Sequence, residues 1–291
     1  MAAIYRGFDR ASLDLEYSPS AALPDGLEPY LEDYARLSQK ALACPGVKPS
    51  LRYGERPDEV LDLFLPPGSG PWPLHIFIHG GFWQELSQRE FGFFGPVFQE
   101  RQIAYASIDH TLAPAATIGA MIDQCRGAVA WLYAKAGTLG LDRRRIALSG
   151  HSAGAHLCAM LLMTEWSRFG LPADVIKGAL LISGIYDLAP IRLSYVNQPL
   201  KLSPDDVAAW SPQFLEPRAD CPVAVVWGEN DTAEFKRQGA DFAGMLCRKG
   251  KTVERRELPA LNHFDILFDF LKDPSQLLEV SLRQLGIRAD T

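Results

Sequence analysis

Gly150-His151-Ser152-Ala153-Gly154 sets a serine between small neighbours in the pattern G-x-S-x-G. This pattern suits a hydroxyl raised on a sharp turn between a strand and a helix, where bulkier neighbours would collide with adjoining backbone. An apolar run, Ile146-Ala147-Leu148, precedes it and a helix-prone run follows. An accidental glycine-rich turn would not need both flanks. A serine so placed can attack a carbonyl carbon if a base takes its proton and N–H donors meet the developing oxyanion. The Ala153 amide, at the start of the following helix, is one expected donor. His79-Gly80-Gly81-Phe82-Trp83 follows the apolar run Leu74–Ile78, and its glycines would let backbone amides come close to a substrate. Gly81 and Phe82 are the expected donors there, although sequence does not choose between adjacent amides.

The base must be one of six histidines. His75 and His79 share a strand face and could begin a metal site, but no further His or Cys cluster completes one, so packing is the expected role and no metal is implied. His110 follows the strand-like Ile103–Ile108, His151 is the variable residue of the serine turn, and His156 lies on the helix after it. His263 stands apart. It follows the strand-like run Val253–Leu258 and would open a closing helix over His263–Leu285, where the chain order Ser…Asp…His puts the general base. The acid that orients it must lie between them, just past a strand end. Gly228-Glu229-Asn230-Asp231 follows Val223–Trp227, and Asp231 is preferred over its competitor Glu229 because the turn would carry the fourth residue toward the histidine.

These residues need a scaffold, and the chain supplies an alternating one. Strand-like segments are Val60–Leu65, Leu74–Ile78, Ile103–Ile108, Arg145–Leu148, Gly178–Ile182, Val223–Trp227 and Thr252–Leu258. Helical ones are Phe91–Arg101, Met121–Ala136, Ala153–Glu165 and Glu234–Arg248. This rhythm predicts an α/β fold with a mostly parallel central sheet and helices on both faces. Residues 1–45 look like an N-terminal arm, and 46–291 like one domain. Five prolines between residues 186 and 217 break the rhythm and suggest a short lid. A chain of 291 residues with 47% apolar content can bury a large core unaided. The net charge of −6 comes without a basic stripe, which argues against nucleic-acid binding. No apolar run is long enough to span a membrane. The five cysteines are widely spaced, and no secretory leader is evident, so a cytoplasmic location is expected.

Several segments together carry a family likeness. His79–Gln84, Asp109–Pro114, Gly150–Leu157, Tyr17–Ser20 and Gly228–Lys236 resemble the kynurenine formamidase (arylformamidase) branch of the α/β-hydrolases. The hormone-sensitive-lipase-like esterases carry a third glycine where this chain has Phe82. The resemblance implies the α/β-hydrolase fold, no cofactor, and hydrolysis of N-formyl-L-kynurenine in tryptophan breakdown. The alternative is a short-chain carboxylesterase or aryl-amidase acting on another aromatic substrate. A small aromatic amide or ester is the expected partner, and a homodimer is compatible with the reading. Gly80, Phe82, Trp83, Tyr186, Tyr195 and Trp210 are the expected substrate contacts, since rings stack on rings, although aromatic residues here could equally pack the lid. Arg192 is the nearest guess for a residue pairing a substrate carboxylate.

Overall fold

A computed structural model describes residues 3–288. Eight strands run β1 (Val47–Arg52), β2 (Val60–Phe64), β3 (Trp72–Ile78), β4 (Ala104–Ile108), β5 (Leu141–His151), β6 (Ile176–Ile182), β7 (Val223–Gly228) and β8 (Val253–Leu258). They form one sheet in the order β1-β2-β4-β3-β5-β6-β7-β8. The pairs β1–β2 and β2–β4 are antiparallel, and every other pair is parallel. The arrangement is the α/β fold with a mostly parallel central sheet that the alternating rhythm predicts. The central strands are apolar along nearly their whole length because helices cover both faces.

The helices are α1 (Arg10–Glu16), α2 (Glu28–Leu42), α3 (Gly95–Glu100), α4 (Ile118–Leu139), α5 (Ala153–Leu162), α6 (Ala189–Leu193), α7 (Asn197–Leu200), α8 (Pro204–Trp210), α9 (Ala233–Arg248) and α10 (Gln276–Gln284). They divide the apolar interior into two cores. One centres on α4, α5 and α9, and the other on the aromatic residues of 91–98 with α10. Helix α4 shows local and global signals in agreement. The Thr117 side chain accepts from the Ala120 amide at its start, and Gly140 ends it with φ of 70°.

The described part of the N-terminal segment, residues 3–45, docks on both cores. Tyr17 is wholly buried, and its hydroxyl donates to Glu234 of α9 (3.0 Å). Gln238 Nε2 donates to the Tyr17 hydroxyl oxygen (2.7 Å), and its Oε1 accepts from the amides of Tyr186 and Asp187. Tyr34 of α2 donates to the Phe264 carbonyl (2.5 Å), next to His263.

Three elements depart from expectation. Strand β1 has no apolar alternation to announce it, and its Pro49 is tolerated because the strand lies at the sheet edge. The segment Phe91–Arg101 is a 3₁₀ turn (Gln88–Phe94) followed by α3, separated at Gly95-Pro96. The closing helix over His263–Leu285 is broken into a 3₁₀ segment (Asp265–Leu271) and α10. Pro274 lacks an N–H and turns the preceding residue away from helix, and Ser275 then caps α10 through the Leu278 amide (3.0 Å).

Candidate active site

Parallel strands place functional loops at their carboxyl ends, and β3, β5, β7 and β8 do so here. At the end of β5 the chain turns so sharply that Ser152 has φ 55° and ψ −119°, a conformation L-residues avoid. Its amide donates to the Ile182 carbonyl (2.9 Å), which fastens the turn to β6. The flanking glycines are steric necessities. A Cβ on Gly150 would stand 2.4 Å from the Gly154 carbonyl oxygen, and one on Gly154 would stand 2.0 Å from that of Ile78. Gly154→Ala should therefore force β3 and α5 apart, costing about 2 kcal/mol or more of stability in urea denaturation. An unchanged midpoint would show that the turn is looser than drawn.

The loop after β3 is held in an equally unusual shape. Gly81, Phe82 and Trp83 all have positive φ (95°, 49° and 61°). The Gly81 carbonyl accepts from the amides of Gln84 and Glu85 (2.8 and 3.0 Å), closing the turn. His79 braces it from below, with Nδ1 2.8 Å from the Gly80 carbonyl oxygen and Nε2 3.1 Å from Asp109 Oδ1. The amides of Gly81, Phe82 and Ala153 donate to no protein group among the described residues. Three N–H groups thus remain available for an anionic oxygen.

His263 lies in the loop between β8 and the 3₁₀ segment, buried, with Nδ1 2.6 Å from Asp231 Oδ1. Its ring sits 4.4 Å from that of Phe235 and 4.6 Å from that of His151. The second Asp231 oxygen accepts from Ser183 Oγ (2.6 Å) and the Gly228 amide (2.9 Å). Burial alone would raise the Asp231 carboxyl. The facing His263 and these hydrogen bonds outweigh burial and hold it below the ordinary carboxylate range. Glu229 is exposed and accepts instead from the Ala260 amide (2.8 Å). His263 Nε2 has no protein partner among the described residues and is free to accept a proton.

Ser152 and His263 line one cavity of about 220 Å³. No hydrogen bond joins the Ser152 hydroxyl to the imidazole among the described residues. Such contacts commonly tighten only when substrate is in place.

Ser183 went unnoticed in the sequence, because a serine after an apolar strand carries no signal of its own. Removing its hydroxyl leaves one Asp231 oxygen with a single donor. Ser183→Ala should lower kcat about tenfold with little change in KM, the scale of one hydrogen bond to a charged group. Steady-state kinetics will decide, and an unchanged kcat would make Ser183 purely structural.

The expected aromatic contacts divide. Phe82 and Tyr195 line the cavity. Gly80 abuts the serine turn, since a Cβ there would lie 3.1 Å from Ser152 Cβ. Trp83, Tyr186 and Trp210 do not reach the cavity. Trp83 is wholly buried edge-on against His156, and Tyr186 is stacked flat on Phe242 at 4.2 Å. Trp210 packs over Gly119 of α4 while its carbonyl accepts from His156 Nε2 (2.7 Å). The core beneath the site claims Trp83 and Tyr186, where their area is buried more completely, and Trp210 packs half-buried against it. Arg192 is exposed on α6 and absent from the wall, and among the described residues no Lys or Arg lines the cavity. What sequence reading missed is the N-terminal contribution: Pro19, Ser20, Leu27, Leu31 and Tyr34 form much of one wall. The spacing of Leu27, Leu31 and Tyr34 is that of a helix face, a signal available in retrospect.

The remaining histidines have structural partners. His75 Nε2 lies 2.6 Å from Ser149 Oγ, and its ring stacks on Phe98. His110 stacks on His79 at 4.5 Å. Among the described residues no three His, Cys, Asp or Glu side chains are grouped to hold a metal ion, and no helix is long and apolar enough to cross a membrane.

Comparison with known proteins agrees with this architecture. Residues 61–176 match the BD-FAE family model. The kynurenine formamidase of Danio rerio is 31% identical over 97% of this chain and 98% of its own. Among solved structures, a candidate thioesterase from Silicibacter sp. superposes with a TM-score of 0.80 at 26% identity, covering 92% of this chain and 98% of that one. An esterase of the archaeon Pyrobaculum calidifontis gives 0.72 at 19% identity, covering 90% and 91%, and so speaks for the fold alone. Near-full-length identity at this level decides the family: the chain is an α/β-hydrolase belonging to the kynurenine formamidase family.

Proposed function

We propose that the protein hydrolyses aryl formamides of the N-formyl-L-kynurenine class through a formyl-enzyme on Ser152. The observation that carries this reading is one cavity lined by a strained serine and an Asp231-held histidine, with unpaired amides beside them. In the first step Ser152 Oγ bonds to the formyl carbon and its proton passes to His263 Nε2. The carbonyl π pair becomes an oxyanion, received by the amides of Ala153 and of Gly81 or Phe82. The C–N bond then breaks, and the departing nitrogen takes the proton from His263. Water repeats the sequence on the formyl ester, giving formate and restoring the serine. Asp231 stays ionised throughout and keeps the Nδ1–H tautomer.

The aryl group is expected against Phe82, Tyr195 and the leucines of the N-terminal segment. With no Lys or Arg in the wall, a substrate carboxylate would stay at the mouth in water. Cytoplasmic residence is part of the same proposal and is supported by five cysteines that are all unpaired.

A substrate panel tests the assignment: N-formyl-L-kynurenine, formanilide, an N-acetyl arylamine and p-nitrophenyl acetate. The formamides should exceed the N-acetyl arylamine in kcat/KM by at least tenfold. Turnover of the ester with none of either formamide would replace this reading by a carboxylesterase.

A further inference from the structure

His151 is the variable residue of the serine turn and has no part in the steps above. Its Nε2 lies 2.8 Å from the His263 carbonyl oxygen. A carbonyl can only accept, so the proton of His151 is on Nε2 and Nδ1 carries a lone pair. Burial, reinforced by the neighbouring His263, pushes the imidazole down to about 3, so it is neutral at pH 7. Nδ1 has no protein partner among the described residues. Unlike Nδ1 of His75 and His156, it is not sealed from solvent, and His151 is part of the cavity wall. A Cβ on Gly80 would lie 3.3 Å from this nitrogen and 3.1 Å from Ser152 Cβ, so the two atoms flank the same point beside Gly80.

We propose that His151 Nδ1 accepts a hydrogen bond from the N–H of the scissile amide, which makes His151 a substrate contact selecting amides over esters. This rests on the reading that Ser152 attacks a secondary formamide. When the C–N bond breaks, the nitrogen lone pair must point at His263 Nε2 to receive its proton. The N–H is then turned aside, and leaving it unpaired in a closed site is unfavourable. The His151 ring, 4.6 Å from that of His263, offers the adjacent acceptor. An ester oxygen has no hydrogen to give, so the contact is worth nothing to an ester.

The experiment measures kcat/KM for formanilide, N-methylformanilide and phenyl formate, the ester corrected for spontaneous hydrolysis. The wild type, His151→Gln and His151→Asn are compared. Glutamine can reach the Nε2 position with its amide N–H and leaves the Nδ1 position without an acceptor, whereas asparagine can place its oxygen near Nδ1. His151→Gln should lose about tenfold more activity on formanilide than on phenyl formate, and asparagine should recover part of that difference. The wild type should also prefer formanilide to N-methylformanilide, with the preference shrinking in His151→Gln. Equal losses on amide and ester overturn the role of His151 alone. If the glutamine variant does not fold, equal wild-type turnover of the two anilides overturns it. Absence of any wild-type formanilide turnover, with the ester still cleaved, overturns the formamidase reading and this inference with it.

Discussion

Ser152→Ala is expected to lower kcat by about 10⁵-fold or more on every substrate the protein turns over. Without Oγ no acyl-enzyme can form, and what remains is the help that bound amides and His263 give to direct attack by water. The hydroxyl donates to no protein group among the described residues, so its loss should not weaken the fold. The Ser152 amide still bonds Ile182, and alanine meets the same φ of 55° that serine does. A melting temperature within about 2 °C of wild type, together with lost labelling by a fluorophosphonate probe, would therefore accompany the loss of turnover. Retention of more than about 1% of kcat would mean that another group is the nucleophile.

Asp231→Asn should cost about 10⁴-fold in kcat, and the reason lies in the far side of the carboxylate. Oδ2 accepts from Ser183 Oγ and from the Gly228 amide, and the latter cannot reverse its role. An asparagine will keep its oxygen toward those donors and turn its NH₂ to His263. That NH₂ demands an acceptor at Nδ1, which moves the imidazole proton to Nε2 and leaves nothing to receive the Ser152 proton. Shape is preserved while the tautomer is wrong. Glu229→Gln, two residues away on the same turn, should change kcat less than twofold, because the exposed Glu229 carboxylate accepts from the Ala260 amide and not from His263. Comparable losses in the two variants would refute the assignment of Asp231.

Much of this site was readable in advance because steric demands leave marks on sequence. Gly150 and Gly154 are glycines because carbonyl oxygens stand within 2.4 Å of where their side chains would begin. The stretches Ile146–Leu148, Leu74–Ile78 and Val223–Trp227 before Ser152, Gly81 and Asp231 are mostly apolar, since both faces are covered there. Residues outside those constraints were not readable. Trp83 and Tyr186 have the same composition signal as Phe82 and Tyr195, and only tertiary packing decides which rings face inward. Ser183 reaches Asp231 and Asp109 reaches His79 through hydrogen bonds between residues far apart in the chain, which no local pattern encodes. The closing helix kept its apolar periodicity on both sides of Pro274, and periodicity alone overstated its continuity.

The wall contributed by Pro19, Ser20, Leu27, Leu31 and Tyr34 has a consequence for how specificity can change. The reacting atoms ride on sheet loops whose glycines tolerate no added carbon, whereas this wall belongs to a stretch of chain that precedes the sheet. Exchange of leucine for a larger or smaller residue at position 27 or 31 would reshape the room for a ring while every bond-making group stayed in register. Part of recognition is thereby written outside the sheet loops, and that part can drift without endangering the chemistry.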